Sequence, residues 1–168
     1  MQIRPATLDD SGAILDIYNQ QVLTSSATFD LVPRTIEEQR AWLTDRTGAH
    51  AVIVAVEPDG HVAGFGALSA YRERAGYATT VEDSVYVAEA SRGKGVGRVL
   101  LEHLVELARH HGFHAIMAKI VGGHEVSIGL HAACGFEVVG TEREVGRKFG
   151  RWLDLLFMQL TLDGSAPR

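Results

Sequence analysis

The stretch SRGKGVGRVLLEHLVELARHHG, residues 91–112, sets Gly93, Gly95 and Gly97 among Arg92, Lys94 and Arg98, directly before an apolar pattern of helical period. A glycine-rich turn that opens a helix presents several backbone N–H groups at the positive end of the helix dipole, and phosphate is the anion that suits this arrangement. Two familiar phosphate patterns fit poorly. A Walker loop needs Gly-Lys followed by Ser or Thr to hold magnesium, and here Lys94 is followed by Gly95. A dinucleotide fingerprint needs G-x-G-x-x-G and an acid closing the next strand, whereas these glycines run G-x-G-x-G and AKIVGG supplies no acid. A glycine-rich connector with no ligand is the plain alternative.

Composition narrows the setting of this loop. The chain has 168 residues, 46% hydrophobic and 22% charged, which fits a single soluble domain, here drawn as residues 1–163 with a frayed tail at 164–168. Net charge is −5 and no Lys/Arg block could track nucleic acid, so any anion site must be local and no nucleic-acid partner is expected. Apolar runs fall well short of the roughly 20 residues of a membrane span, so no membrane partner is expected either. The start, MQIRPATLDD, does not read as an export signal, and a cytoplasmic protein is expected. Cys134 is alone and reads as a small buried helix residue. The eight histidines lack metal-ligand spacing; His110, His111 and His114 straddle a helix end at Gly112, and no metal is expected.

The elements that must position the loop follow from periodicity. MQIRPA reads as a strand, and Ile14, Ile17, Tyr18 and Val22 share one helical face behind Thr7. Thr35 and Glu38 form a capping box for a second helix. Two β-rich runs around EPDG make a hairpin. Residues 77–87 read as a strand and 94–111 as a helix with Leu100, Leu104 and Leu107 at helical spacing. FHAIMAKIV (strand), HEVSIGLHAAC (short helix), FEVVGTEREV and RWLDLLFMQLTL (strands) complete the order βααβββαβαββ, a mixed α/β domain around a central sheet.

With those elements in place, VYVAEASRGKGVGRVLLEHL resembles the acetyl-CoA motif of the GNAT acetyltransferases, and SIGLHAACGFEVVG resembles the second conserved region of that superfamily. Within it, TTVEDSVYV, SIGLHAACGF and VGRKFGRWLDLLFMQL are similar to the phosphinothricin and methionine sulfoximine acetyltransferases. The resemblance implies the GNAT fold, a mostly antiparallel sheet flanked by helices, with acetyl-CoA as co-substrate. Its pyrophosphate would be wrapped by the amides of Arg92, Gly93, Lys94, Gly95, Val96, Gly97 and Arg98, where side chains in place of the three glycines would obstruct approach. The pantetheine arm would add to the strand edge through Val85, Tyr86 and Val87, with the Val85 amide donating to the thioester carbonyl. His124 and Ser127 fall where the motif contacts that arm.

The resemblance also assigns roles at the acetyl group. Glu82 holds the position of the catalytic glutamate, while Asp83 must face the other side of a regular strand unless a bulge reverses the pair. His131 stands where much of the superfamily offers a Tyr to protonate the departing thiolate; it could also assist the base or simply pack. An amino-acid analogue as acceptor requires cations and hydroxyls, and Arg72, Arg74, Phe29, Tyr77, Thr80 and Lys148 are the candidates to hold it. The implied activity is N-acetylation of a small amino-acid analogue by a homodimer. The alternatives are acetylation of a protein N-terminus or an aminoglycoside, and a module that senses acetyl-CoA without turnover.

Overall fold

The computed structural model describes residues 1–162; residues 163–168, which include the expected tail, lie outside it. Eleven main elements follow the predicted order: β1 (Gln2–Pro5), α1 (Ser11–Thr24), α2 (Ile36–Thr44), β2 (Val52–Val56), β3 (Val62–Ala70), β4 (Thr80–Val87), α3 (Val96–His110), β5 (Ala115–Val121), α4 (Glu125–Ala133), β6 (Glu137–Lys148) and β7 (Arg151–Thr161). Short-range signals set most of their starts. Glu38 N–H donates to Thr35 Oγ1 (3.2 Å) and Thr35 N–H to Glu38 Oε2 (2.7 Å), the expected capping box of α2. Thr7 caps a 3₁₀ turn, Leu8–Asp10, that leads into α1. The EPDG turn joins β2 to β3, with Glu57 N–H donating to His61 O (2.8 Å) and Gly60 at φ 88°.

The seven strands form one sheet in the order β1-β2-β3-β4-β5-β7-β6, antiparallel throughout except for β4 and β5. Alternation divides its side chains between two cores. Val81, Ile116, Ala118, Ile120 and Met158 meet the apolar stripe of α3, Leu100, Leu101 and Leu104. Val52, Val54 and Phe65 meet Ile14, Ile17 and Tyr18 of α1 on the other side. Close packing of α3 on the sheet requires small residues in β3. A Cβ at Gly64 would stand 2.7 Å from Tyr86 O, a main-chain atom that cannot swing aside. Gly64→Ala is therefore expected to destabilise the fold by about 1–3 kcal/mol, seen as a lower urea midpoint at unchanged slope; an unchanged midpoint would contradict this packing.

Two boundaries differ from the sequence reading by three residues. β4 begins at Thr80, not at Tyr77, because Ala75–Tyr77 form a 3₁₀ turn in which Tyr77 N–H donates to Arg74 O (2.9 Å). β6 runs to Lys148 through two register shifts, and Phe149 and Gly150, at φ 49° and 75°, turn the chain into β7. Cys134 is half-buried rather than buried, and burial pushes its thiol up from the ordinary range. Among the described residues, no helix is long and apolar enough to cross a membrane, and no cluster of three or more His, Cys, Asp or Glu could hold a metal ion.

Candidate active site

The site grows out of a fork in the sheet. β4 and β5 pair only through Thr80↔Ala115, Val81↔Ile116 and Glu82↔Met117, although β4 runs on to Val87 and β5 to Val121. Beyond Glu82 each strand stays with its other neighbour: β4 follows β3 as far as Gly64↔Val87, and β5 follows β7 as far as Val121↔Leu155. Ala88 N–H donates to Ala63 O (2.9 Å), and Tyr86 O is directed at Gly64. Main-chain groups alternate between the two edges of a strand, so Val85 and Val87 turn theirs toward the gap. Tyr86 turns its main chain toward β3 and packs its ring on Phe65 (centroids 5.2 Å) and Tyr18 (5.3 Å), so it does not face the gap as expected. Burial there raises its hydroxyl far above the ordinary tyrosine range.

The phosphate-type loop lies at the open end of this fork. Arg92, Gly93, Lys94 and Gly95 are exposed, while Val96 is buried and can offer only its main chain. The first amides of α3 have no carbonyl a turn earlier, and Val99 N–H is bonded back to Gly95 O (3.2 Å). The three glycines serve different ends. Gly93 and Gly95 adopt φ 73° and 82°, a left-handed backbone that side chains disfavour, with open space where a Cβ would stand. Gly97 sits under Leu130 of α4, where a Cβ would meet Leu130 Cδ2 at 3.3 Å, so helix packing needs it, rather than only ligand approach as the sequence suggested. Arg98 is held by Glu102 (2.8 Å). Gly95→Ala is expected to cost about 1–2 kcal/mol of left-handed strain and to weaken coenzyme A binding by calorimetry; unchanged affinity would remove this loop from the site.

Glu82 and Asp83 face opposite sides of β4, with no register shift in its pairing to β3. Glu82 faces the α1 side, its Oε2 2.6 Å from Lys119 Nζ. Thr80 shares that face. Asp83 is buried on the α3–α4 side, where Oδ2 lies 3.0 Å from His131 Nε2. His131 Nδ1 donates to Ser127 O (2.7 Å). Burial pushes the imidazole's pKa down, but the hydrogen bond and charge of Asp83, with the Ser127 carbonyl, outweigh it and leave the pKa raised. Both ring nitrogens are thus engaged within the protein, on the opposite side of β4 from Glu82. Of the alternatives the sequence left open for His131, this geometry supports packing: it clamps α4 to β4, has no free N–H for a thiolate and does not touch the base. The sequence reading sent Asp83 to this face but gave it no partner. Its signal was its parity with Val81, Val85 and Val87, since a carboxylate at an inward position needs a partner.

The acceptor candidates divide into two groups. Tyr71, Arg72, Met117, Phe157 and, from β6, Thr141 and Glu142 line a cavity of about 280 Å³ on the Glu82 side. Arg72 lies over Tyr71 (4.9 Å) and Tyr77 (5.3 Å), whose rings meet edge to face at 5.7 Å. Arg74 is exposed and does not line this cavity. The other group ties down the loop between α1 and α2. Lys148, only 3% exposed, donates from Nζ to Thr28 O (2.8 Å), and burial lowers its pKa. Phe29 lies against Gly146, and Ser26 Oγ is 3.0 Å from His124 Nε2. Burial lowers the pKa of His124 as well. Lys148 is thus engaged by the loop's Thr28 carbonyl, and Phe29, itself on that loop, packs against Gly146, so both serve to dock the loop. Lys119, a lone cation within the apolar run AIMAKIV, is the residue the sequence reading missed.

Known proteins are similar to this chain along nearly its whole length. A family model described as an acetyltransferase (GNAT) domain matches residues 3–157. The L-methionine sulfoximine/L-methionine sulfone acetyltransferase of Pseudomonas aeruginosa is 44% identical over 168 residues, covering 98% of each chain. A solved phosphinothricin acetyltransferase from Sinorhizobium meliloti, in complex with acetyl-CoA, superimposes with a TM-score of 0.91 at 37% identity, covering 99% of this chain and 95% of that one. A ribosomal-protein-alanine N-acetyltransferase from Brucella melitensis superimposes with a TM-score of 0.94 at 43% identity, covering 96% and 100%.

Proposed function

We propose, from the premise that this chain belongs to the GNAT acetyltransferase family, that it moves acetyl from acetyl-CoA to the α-amine of a small amino-acid analogue of the methionine sulfoximine or phosphinothricin type. The observation that carries this reading is Glu82 at the apex of the β4–β5 fork, beside a cavity rimmed by Arg72 and Tyr71. The donor set suits acetyl-CoA: main-chain groups of Val85 and Val87 along the gap, and the amides of residues 92–98 at the start of α3, which match a pantetheine amide and a pyrophosphate.

Acetyl-CoA supplies an activated thioester when bound. Glu82 accepts the proton of the acceptor's ammonium, leaving a lone pair on nitrogen for the new C–N bond; as the C–S bond breaks, coenzyme A departs as a thiolate and takes up the second proton released by the acylated nitrogen. The Val85 N–H stabilises the carbonyl oxygen as charge develops on it. Tyr71 and Phe157 supply ring surface to the lining of the cavity.

The homodimer expected from the resemblance is supported by β6. It is the outer strand of the sheet, exposed along most of its length, and it forms one wall of the cavity. Val138, Val139, Val145, Phe149 and Trp152 expose apolar surface on this hairpin, which a second copy would cover.

A peptide N-terminus is the second reading, favoured by the likeness to the alanine N-acetyltransferase. An aminoglycoside is cationic, and Arg72 and Lys119 beside the cavity repel it. Thiol release from acetyl-CoA with methionine sulfone, methionine sulfoximine, phosphinothricin, an alanine-initiated peptide and an aminoglycoside separates these readings. The amino-acid analogues are expected to give the highest kcat/KM; preference for the peptide or the sugar would overturn the proposal.

A further inference from the structure

Glu82 is not free on its face of the sheet. Its register partner is Met117, and Lys119, two residues further along β5, projects to the same side. Lys119 Nζ lies 2.6 Å from Glu82 Oε2, with the two side chains 33% and 24% exposed. Ion pairs that water still reaches contribute little to stability, so the pair's significance lies in where it stands. The same ammonium lies 5.4 Å from the ring centroid of Tyr71, which lines the cavity beside Arg72 and Met117.

The carboxylate placed to receive the acceptor's proton is therefore occupied by a cation of the protein itself. A plain amine reaching Glu82 must displace Lys119 and gives it nothing in return. An α-amino acid carries its own carboxylate one carbon away from the nitrogen, so its ammonium can take Glu82 while its carboxylate takes Lys119. One ion pair is exchanged for two. Arg72, over Tyr71 and bonded to its hydroxyl (3.3 Å), has no contact with Glu82 and is left for a more distant polar group of the acceptor.

We infer that Lys119 is a specificity-determining residue that binds the acceptor's α-carboxylate and so restricts the substrate class to α-amino acids. This rests on the acetyl-transfer reading above. The test measures thiol release with L-methionine sulfone, its carboxamide and the corresponding decarboxylated amine, in the wild type and in Lys119→Met and Lys119→Arg. Wild type is expected to favour the acid by about 10²-fold in kcat/KM, since a site built to pair a charged group rejects analogues lacking it. Lys119→Met is expected to reduce that preference to within a few-fold, chiefly through KM for the acid, and Lys119→Arg to restore most of it. In the presence of coenzyme A, calorimetry should show L-methionine sulfone binding at least about tenfold more weakly to Lys119→Met. Lys119→Gln, judged by the same ratio, serves if the Met variant does not fold. A preference that survives loss of the charge, or a wild type that does not distinguish acid from amine, overturns the role of Lys119 alone. Absence of thiol release from wild type with every amine overturns the acetyl-transfer reading itself.

Discussion

Replacing Glu82 with Gln is expected to lower kcat/KM for acetyl transfer by about 10²–10⁴-fold, the usual contribution of a positioned general base, while leaving acetyl-CoA affinity unchanged by calorimetry. The amide has the shape of the carboxylate and can still accept a hydrogen bond from Lys119, so the local structure should persist. What it cannot do is take a proton from an ammonium. Binding of acetyl-CoA is assigned to main-chain groups of β4 and the start of α3, and Glu82 turns its side chain away from the face that carries Val85 and Val87. Turnover and cofactor affinity should therefore separate cleanly. Full activity in Glu82→Gln would remove Glu82 from the base role. Absence of turnover in wild type and variant alike, with acetyl-CoA still bound, would favour a sensing module.

Asp83→Ala is expected to cost about 3 kcal/mol of folding stability, the low end for breaking a buried ion pair. The low end applies because His131 can shed its proton when its partner is gone, whereas a buried lysine or arginine holds its charge more firmly. Only the Ser127 carbonyl would then hold the ring, and α4 would lose its link to the fork. The pH dependence follows from the raised pKa of His131. A histidine whose pKa is higher in the folded protein than in the unfolded chain contributes stability that is fully present below about 6.5, its unfolded value. That contribution is lost as pH rises through the folded value. The stability difference between wild type and Asp83→Ala should thus be largest at mildly acid pH and shrink as pH rises above 6.5. Urea unfolding across that range provides the measurement. A difference that stays constant with pH would show that the pair is not ionised as described.

Much of this architecture is legible in the sequence because its signals are local. The capping box of Thr35 and Glu38, the EPDG turn, the leucine stripe of α3 and the glycines before it each lie within a few residues of what they specify. Alternation along TTVEDSVYV was enough to send Glu82 and Asp83 to opposite faces, since period two is a property of any regular strand. That His131 packs on Asp83 instead of serving the chemistry was one of several alternatives the sequence left open, and the sequence could not choose among them. Which side of the sheet α4 covers, and so which acid meets the imidazole across 48 residues, is not encoded in any local pattern.

The sequence by itself determined the order of elements, the phosphate-type loop and the carboxylate at the centre of β4, each through short-range backbone preference or side-chain periodicity. Tertiary structure alone decided where β4 and β5 part, that Lys119 neutralises Glu82, that Asp83 holds His131, and that Lys148 reaches Thr28 across 120 residues to dock a loop. The physical reason is that a charge brought toward a core must find a partner or stay unpaired at high cost. Local sequence marks such a charge, but only the packing of distant elements supplies the group that meets it.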